Sequence, residues 1–191
     1  RGIDDDGRAV SYDDETGSSI QIWELGQALG QQQFDILAWD ASLMQMAEVA
    51  YEVKDNAKFV AGSEESPPGE GYPYQSIFSK FRDNPDDTSK NLSKAFVDGM
   101  VNNPDYALRK ITQSVLDTTK LPALATAVAS LANSLIANQG SIGVQVQFAR
   151  ATAQAYSPRT NRVYRDLKDL LQILKNSANI PAAVATQCTA T

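Results

Sequence analysis

The period of the hydrophobic pattern changes within a few residues around position 40, and that change constrains the fold more than any other feature of the chain. Phe34, Ile36, Leu37, Ala38 and Trp39 form a short, nearly continuous apolar run that ends at Asp40. Such a run suits a strand covered on both faces of a parallel sheet. From Leu43 the spacing turns helical: Leu43, Met46, Ala47, Ala50 and Tyr51 fall at i, i+3, i+4, i+7 and i+8 and predict a helix to about Lys54. Residues 57–63 then read as a second strand. Upstream, Ser18 with Gln21 makes a capping-box pattern, Ile20, Trp23, Leu25 and Leu29 supply a helical apolar set, and Gly30 is a C-terminal stop, so a helix is expected over residues 19–29. Helix, strand, helix, strand is the signature of an α/β fold. With 191 residues, 42% of them hydrophobic, the chain is long enough to bury a sizeable core and reads as one domain, or most of one.

Further along, the Pro- and Gly-rich stretch 66–71 reads as a loop, residues 75–81 and 91–101 as helices, and the region 106–116 as the place for a third strand. Leu124, Val128, Leu131 and Leu135, then Val163, Leu167, Leu170 and Leu174, are amphipathic helix stripes. Between them Ile142, Val144, Val146 and Phe148 alternate at period two, which prefers a strand, although residues 148–156 suit a helix equally. A short strand is expected near residues 8–12, inside an N-terminal stretch rich in Asp and Gly.

Composition narrows the chemistry. The formal net charge is -6 and the isoelectric point about 4.6, which argues against a nucleic-acid surface and for cationic partners. There is no histidine and a single cysteine, Cys188. The segment by itself therefore lacks the usual general base, any internal disulfide and any multi-cysteine metal site. The apolar stretch 121–137 is interrupted by Pro122, Thr126, Ser130, Asn133 and Ser134, so no membrane span is expected.

In an open parallel sheet, ligands gather beyond the carboxyl ends of the strands, which directs attention to Asp40-Ala41-Ser42. Ser42 at the start of the following helix would meet free backbone N–H groups that stabilise a nucleophile or an oxyanion. The plainer reading is a helix cap, since Ser42 and Gln45 form a second capping-box pattern. Cys188 lies outside every motif and reads as a packing residue.

The residues Phe34 to Met44, reading Phe-Asp-Ile-Leu-Ala-Trp-Asp-Ala-Ser-Leu-Met, followed by Glu48-Val49-Ala50-Tyr51-Glu52, resemble the clostripain family's strand ending in Asp-Ala-Cys-Leu-Met and its Glu-Val-Ala-Tyr helix. Ala61-Gly62-Ser63-Glu64-Glu65 and Pro68-Gly69-Glu70-Gly71-Tyr72-Pro73-Tyr74 resemble its Ala-Ser-Glu-Glu and Pro-Gly-x-Gly-Trp-x-Tyr blocks, with Gly62 interposed and Tyr72 in place of tryptophan. Arg1-Gly2-Ile3 and Tyr12 to Gly17 look like the segment that follows the family's His-Gly block, and Tyr164-Arg165-Asp166-Leu167 extends the likeness more loosely.

This resemblance implies a caspase-like α/β/α fold of three layers with a mostly parallel sheet, and a cysteine endopeptidase that cuts after Arg or Lys. Ser42 then stands where the family carries its catalytic cysteine. Asp40 carries over as the acidic base of the pocket for the P1 side chain, against a plainer role in capping. Ser63 and Glu64 would lie where a bound peptide adds by backbone pairing, against loop solvation, and Tyr72 would wall the pocket, against packing beneath the loop. The partners implied are peptides or proteins with Arg or Lys, and a light chain or upstream segment that supplies the catalytic histidine, whether or not self-cleavage separates it. No cofactor is required by the sequence; calcium is possible by resemblance, with Asp4, Asp5, Asp6, Asp13, Asp14 and Glu15 as candidates that do not match an EF-hand loop. A bacterial, secreted, periplasmic or cell-surface protein is implied. Because position 42 is serine, the expectation is a cysteine peptidase made inactive by that substitution; the alternatives are a natural pseudo-peptidase that binds basic peptides, a recruited serine nucleophile and a non-catalytic domain of the same fold.

Overall fold

The computed structural model describes residues 9–106, 108–156 and 164–191. The chain divides into two compact units, Arg1–Leu121 and Pro122–Thr191. The first opens with an antiparallel pair, β1 (Ala9–Val10) and β2 (Ile20–Gln21); Arg8 of the expected strand lies outside the described residues. The helix expected over 19–29 is shorter than its apolar spacing suggested. Ile20 and Gln21 go into β2, a 3-10 turn follows over Ile22–Glu24, and only Leu25–Leu29 is α-helical (α1). The capping box exists three residues later: Glu24 accepts from the backbone N–H of Gln21 at 2.8 Å. Gly30 ends α1 with φ of 60°, as a C-terminal glycine does.

The apolar run forms β3 (Phe34–Ala38). It pairs in parallel with β4 (Ala57–Gly62), Ile36 opposite Phe59 and Ala38 opposite Ala61. The third strand, β5, is confined to Ser114–Asp117 and runs antiparallel to β4, giving the order β3-β4-β5. Within the described sheet β3 is therefore an edge, and its side chains are half-buried or exposed rather than covered on both faces.

Between β4 and β5 lie α3 (Tyr74–Asp83) and α4 (Ser89–Val101). Thr88 caps α4 by accepting from the N–H of Asn91 at 3.2 Å. Ile77, Ala95, Phe96 and Met100 of these helices close a core with Ala61, Tyr72 and Tyr106, against which Ile36, Ala38 and Val115 pack from one face of the sheet. By the alternation of a strand, Leu37 and Val60 point to the opposite face. Val49, Ala50 and Val53, in and after the helix that follows β3, are fully buried. That helix docks closely on α1, since a Cβ on Gly26 would lie 2.9 Å from the carbonyl oxygen of Glu52.

The second unit is helical: α5 (Leu121–Ala137, its first residue in the first unit), α6 (Gln139–Thr152), α7 (Leu167–Asn176) and α8 (Ala182–Ala190). The strand preferred for residues 142–148 is corrected to helix. Ile142, Val146 and Ala149 fall at i, i+4 and i+7 and enter the unit's core with Leu131, Leu171, Leu174 and Val184, whereas Val144 and Phe148, the other members of the alternating set, are exposed. A pattern of period two was compatible with both, and burial at helical spacing decided it. The stripe of α7 is as expected from Leu167 onward; Val163 lies outside the described residues. Thr118–Ala137, with mean hydropathy 1.3, is long and apolar enough to cross a membrane by length and composition only; Leu131 and Leu135 of that stretch pack in the helical core, while most of the stretch is not buried.

Candidate active site

The site is built where β3 ends. Trp39 continues the ladder by one bond, its N–H donating to the Ala61 carbonyl at 2.8 Å, and the chain then turns away through Asp40, Ala41 and Ser42. Ser42 does not cap a helix, and the expected helix from Leu43 is corrected. The helix after β3, α2, comprises only Ala47–Glu52, with Met46 as its N-cap. Two observations explain the delay. Leu43 takes φ of 64°, a left-handed conformation that costs a branched residue about 1–2 kcal/mol and breaks any helix through it. Gln45, the would-be capping partner, goes elsewhere.

Gln45 is 2% exposed. Its side-chain amide donates to the carbonyls of Val60 in β4 (3.0 Å) and Ser114 in β5 (3.1 Å), and its backbone N–H donates to Ser63 at 3.2 Å. One glutamine thus ties the turn that carries Ser42 to both neighbouring strands. Room for it comes from Gly62, where a Cβ would sit 2.8 Å from Oε1 of Gln45. The glycine interposed in the Ala-Ser-Glu-Glu pattern is accounted for by this contact. Trp39 Nε1, Gln45 Oε1 and Gln113 Oε1 are buried without a hydrogen-bond partner among the described residues, so the end of β3 is the part of this core where polar satisfaction is least complete.

Asp40 is exposed and held by the Pro-Gly-rich block. Its Oδ2 accepts from the backbone N–H of Tyr72 (3.1 Å) and from the hydroxyl of Tyr74 (2.6 Å); among the described residues Oδ1 accepts nothing. Gly71, at φ of 75°, lets the backbone lie against the carboxylate, since a Cβ there would come within 2.5 Å of Oδ2. The block is fixed from behind. The Tyr106 hydroxyl donates to the Gly71 carbonyl at 2.6 Å, and Arg109 grips Glu70 with two bonds of 2.8 and 2.9 Å. That pairing holds the Glu70 carboxyl down at about 2. The hydrogen bond to Asp40 in turn pushes the Tyr74 phenol above its ordinary value, so it remains a donor.

The other residues singled out are placed as follows. Tyr72 is buried, its ring packed edge-on against Phe96 at 5.4 Å; its hydroxyl donates to the Trp39 carbonyl and accepts from Gln113, and burial raises its phenol strongly. What it presents to Asp40 is its backbone N–H. Ser63 is 1% exposed and its hydroxyl is shared between Thr112 and the N–H of Glu65. Glu64 follows it, half-buried, just beyond β4. Ser42 is half-buried, and its hydroxyl has no hydrogen-bond partner among the described residues. Cys188 is buried in the helical core, where burial raises its thiol.

The partners that sequence reasoning missed are Tyr74, Gly71 and Gln45. The first two belonged to the quoted block, but nothing in one sequence said that the block folds over Asp40. An open cleft of about 910 Å³ adjoins Tyr74, lined by Glu70, Lys80, Asp98, Asp105 and Tyr106 among others; neither Ser42 nor Asp40 lines it. As for calcium, Asp4, Asp5 and Asp6 lie outside the described residues, and Asp13 spends both carboxylate oxygens within its own turn, on the N–H of Glu15 and the hydroxyl of Thr16. Among the described residues no group of three potential ligands comes together.

Residues 3–190 match the sequence model of the clostripain family. Among solved structures, a clostripain from Bacteroides thetaiotaomicron in complex with the peptide inhibitor BTN-VLTK-AOMK is similar at a TM-score of 0.67 and 18% identity, over 95% of this chain and 75% of that one. A secreted cysteine protease from the same species, in complex with an irreversible peptide inhibitor, matches at 0.65 and 21% identity, over 95% of this chain and 49% of the other. An inactive zymogen protease from Parabacteroides distasonis matches at 0.61 and 21% identity, over 87% and 43%. No curated protein sequence matches the chain.

Proposed function

The chain belongs to the clostripain family of cysteine peptidases, and on that premise we propose that it is the nucleophile-bearing part of an endopeptidase that cuts after Lys or Arg, with Ser42 at the nucleophile position. The observation that carries this reading is the juxtaposition, at the carboxyl end of one strand, of a half-buried hydroxyl at position 42 and a fixed, exposed carboxylate at position 40. Brackets of this kind suit a scissile bond over the nucleophile and a P1 cation on the acid. The lysine that ends the inhibitor sequence VLTK of the similar clostripain supports a basic P1 residue.

The reaction would run by attack of the group at position 42 on the substrate carbonyl, an oxyanion held by backbone N–H groups, departure of the amine, and hydrolysis of the acyl intermediate by water. These 191 residues contain no histidine, the commonest general base; an upstream segment or light chain would supply it. A hydroxyl is a far weaker nucleophile than a thiolate, so the form with Ser42 is inactive. The serine itself favours a second reading, a natural pseudo-peptidase that holds basic peptides without cutting them. Export from a bacterial cell is supported by the similar secreted protease.

The test is the full-length protein carrying this sequence, as it stands and as Ser42→Cys, assayed on fluorogenic peptides ending in Arg, Lys or Asp. Cleavage after Lys or Arg by the cysteine form alone is expected. Binding of basic peptides with no cleavage by either form would move the assignment to the pseudo-peptidase, and absence of both would leave only the fold.

A further inference from the structure

Resting on the reading of Asp40 as the acid that meets the P1 cation, we propose that Tyr74 is a specificity-determining residue that biases this pocket toward lysine over arginine by occupying one oxygen of the Asp40 carboxylate. An ionised carboxylate has about two acceptor positions on each oxygen. On Oδ2 both are used, by the Tyr72 N–H at 3.1 Å and the Tyr74 O–H at 2.6 Å. Oδ1 is left for a ligand. An ammonium is a point charge and needs one oxygen, whereas a guanidinium gains most from a carboxylate when its planar fork engages both. The cage around Asp40 satisfies the first demand and obstructs the second.

The phenol is positioned by its neighbours, although the residue is 49% exposed. Tyr74 is the first residue of α3 and follows Pro73. Its ring stacks on Phe78 at 6.0 Å with an interplanar angle of 10° and meets Tyr72 edge-on at 6.1 Å. Its backbone N–H donates to the Tyr72 carbonyl at 2.8 Å. Moving the phenol away from Oδ2 for an incoming arginine would break the shortest bond to Asp40 and disturb both ring contacts. The other donor on Oδ2 is a backbone group held by Gly71 and Tyr106, so no substitution of Tyr72 itself would release it.

The experiment uses the full-length protein with Ser42→Cys and two tetrapeptide substrates that differ only in Lys or Arg at P1. The parent should favour Lys in kcat/KM. Tyr74→Phe keeps the ring stack and removes only the hydroxyl; it should shift the ratio toward Arg by about tenfold, the worth of one charge-assisted hydrogen bond. Binding of the same two peptides to the Ser42 protein and to its Tyr74→Phe variant reads the ratio without turnover. If Tyr74→Phe leaves both ratios within about twofold while Asp40→Asn abolishes the preference for basic residues, the inference is overturned and the pocket assignment stands. If Asp40→Asn leaves that preference intact, the pocket assignment fails and takes the inference with it.

Discussion

Substituting Gly71 by alanine tests the cage around Asp40 most directly, because the cost has two separable parts. The first is conformational: at φ of 75° an alanine pays about 1–2 kcal/mol that glycine does not. The second is steric, since the new Cβ would lie 2.5 Å from Asp40 Oδ2 and 3.3 Å from its Cγ. Either the carboxylate or the backbone must shift, and that weakens the Tyr72 N–H bond to Asp40 or the Tyr106 bond to the Gly71 carbonyl, at about 1–2 kcal/mol for one such bond. The sum is about 3 kcal/mol.

Two other glycines isolate the parts. Gly17 has φ of 69° with nothing within 4 Å of an added Cβ, so Gly17→Ala should cost only the conformational part, about 1 kcal/mol. Gly69 has neither a positive φ nor a neighbour, and Gly69→Ala should be within about 0.5 kcal/mol of the parent. Both tryptophans, Trp23 and Trp39, belong to the first unit, so urea unfolding followed by tryptophan fluorescence reads that unit. A Gly71→Ala protein as stable as Gly69→Ala would refute the packing of the block on Asp40.

Gln45→Ala should destabilise the first unit by about 2–4 kcal/mol, because it takes a donor from the buried carbonyl of Val60 and the part-buried carbonyl of Ser114 and opens a cavity. Gly62→Ala should also destabilise, but the double variant should cost at least about 1 kcal/mol less than the sum, since the clash needs the glutamine; additive costs in urea titrations would dismiss the contact. The Glu70 carboxyl is lowered from 4.5 to about 2 by Arg109, so the stability that the pair contributes is fully present above about 4.5 and drains away as pH falls toward about 2. Glu70→Gln should flatten the unfolding midpoint across that window relative to the parent, more visibly at low than at high salt. Cys188 should react with a thiol reagent only slowly in the native protein and at a free-thiol rate in denaturant, given its burial and raised thiol; fast native labelling would contradict its place in the helical core.

Much of this molecule was legible in one sequence because the signals were local. The apolar run from Phe34, the second strand from Ala57, and the stripe of α7 from Leu167 needed only a count of which positions are apolar, since burial on one face repeats with the period of the element; in the stripe of α5 Leu131 is buried but Val128 is exposed. The blocks around Asp40 and Tyr72 were equally plain, and the family match covers them. The errors fell where a residue had a distant alternative. Ser42 and Gln45 spelled a cap, yet Gln45 found two strand carbonyls and Leu43 accepted a left-handed backbone. Residues 142–148 spelled a strand until the surrounding helices buried every third or fourth of them.

By itself, then, the sequence determined the α/β order of the first unit, the helical stripes of the second, the absence of an internal histidine base and the family to which the chain belongs. Tertiary structure alone decided where Ser42 stands relative to α2, that the loop of residues 68–74 closes over Asp40, and which atoms of that carboxylate are left for a ligand. The physical reason is that periodicity records which face of an element is buried, whereas hydrogen-bond partners 30 or more residues apart, such as Asp40 with Tyr72 and Tyr74, are chosen only when the elements have packed.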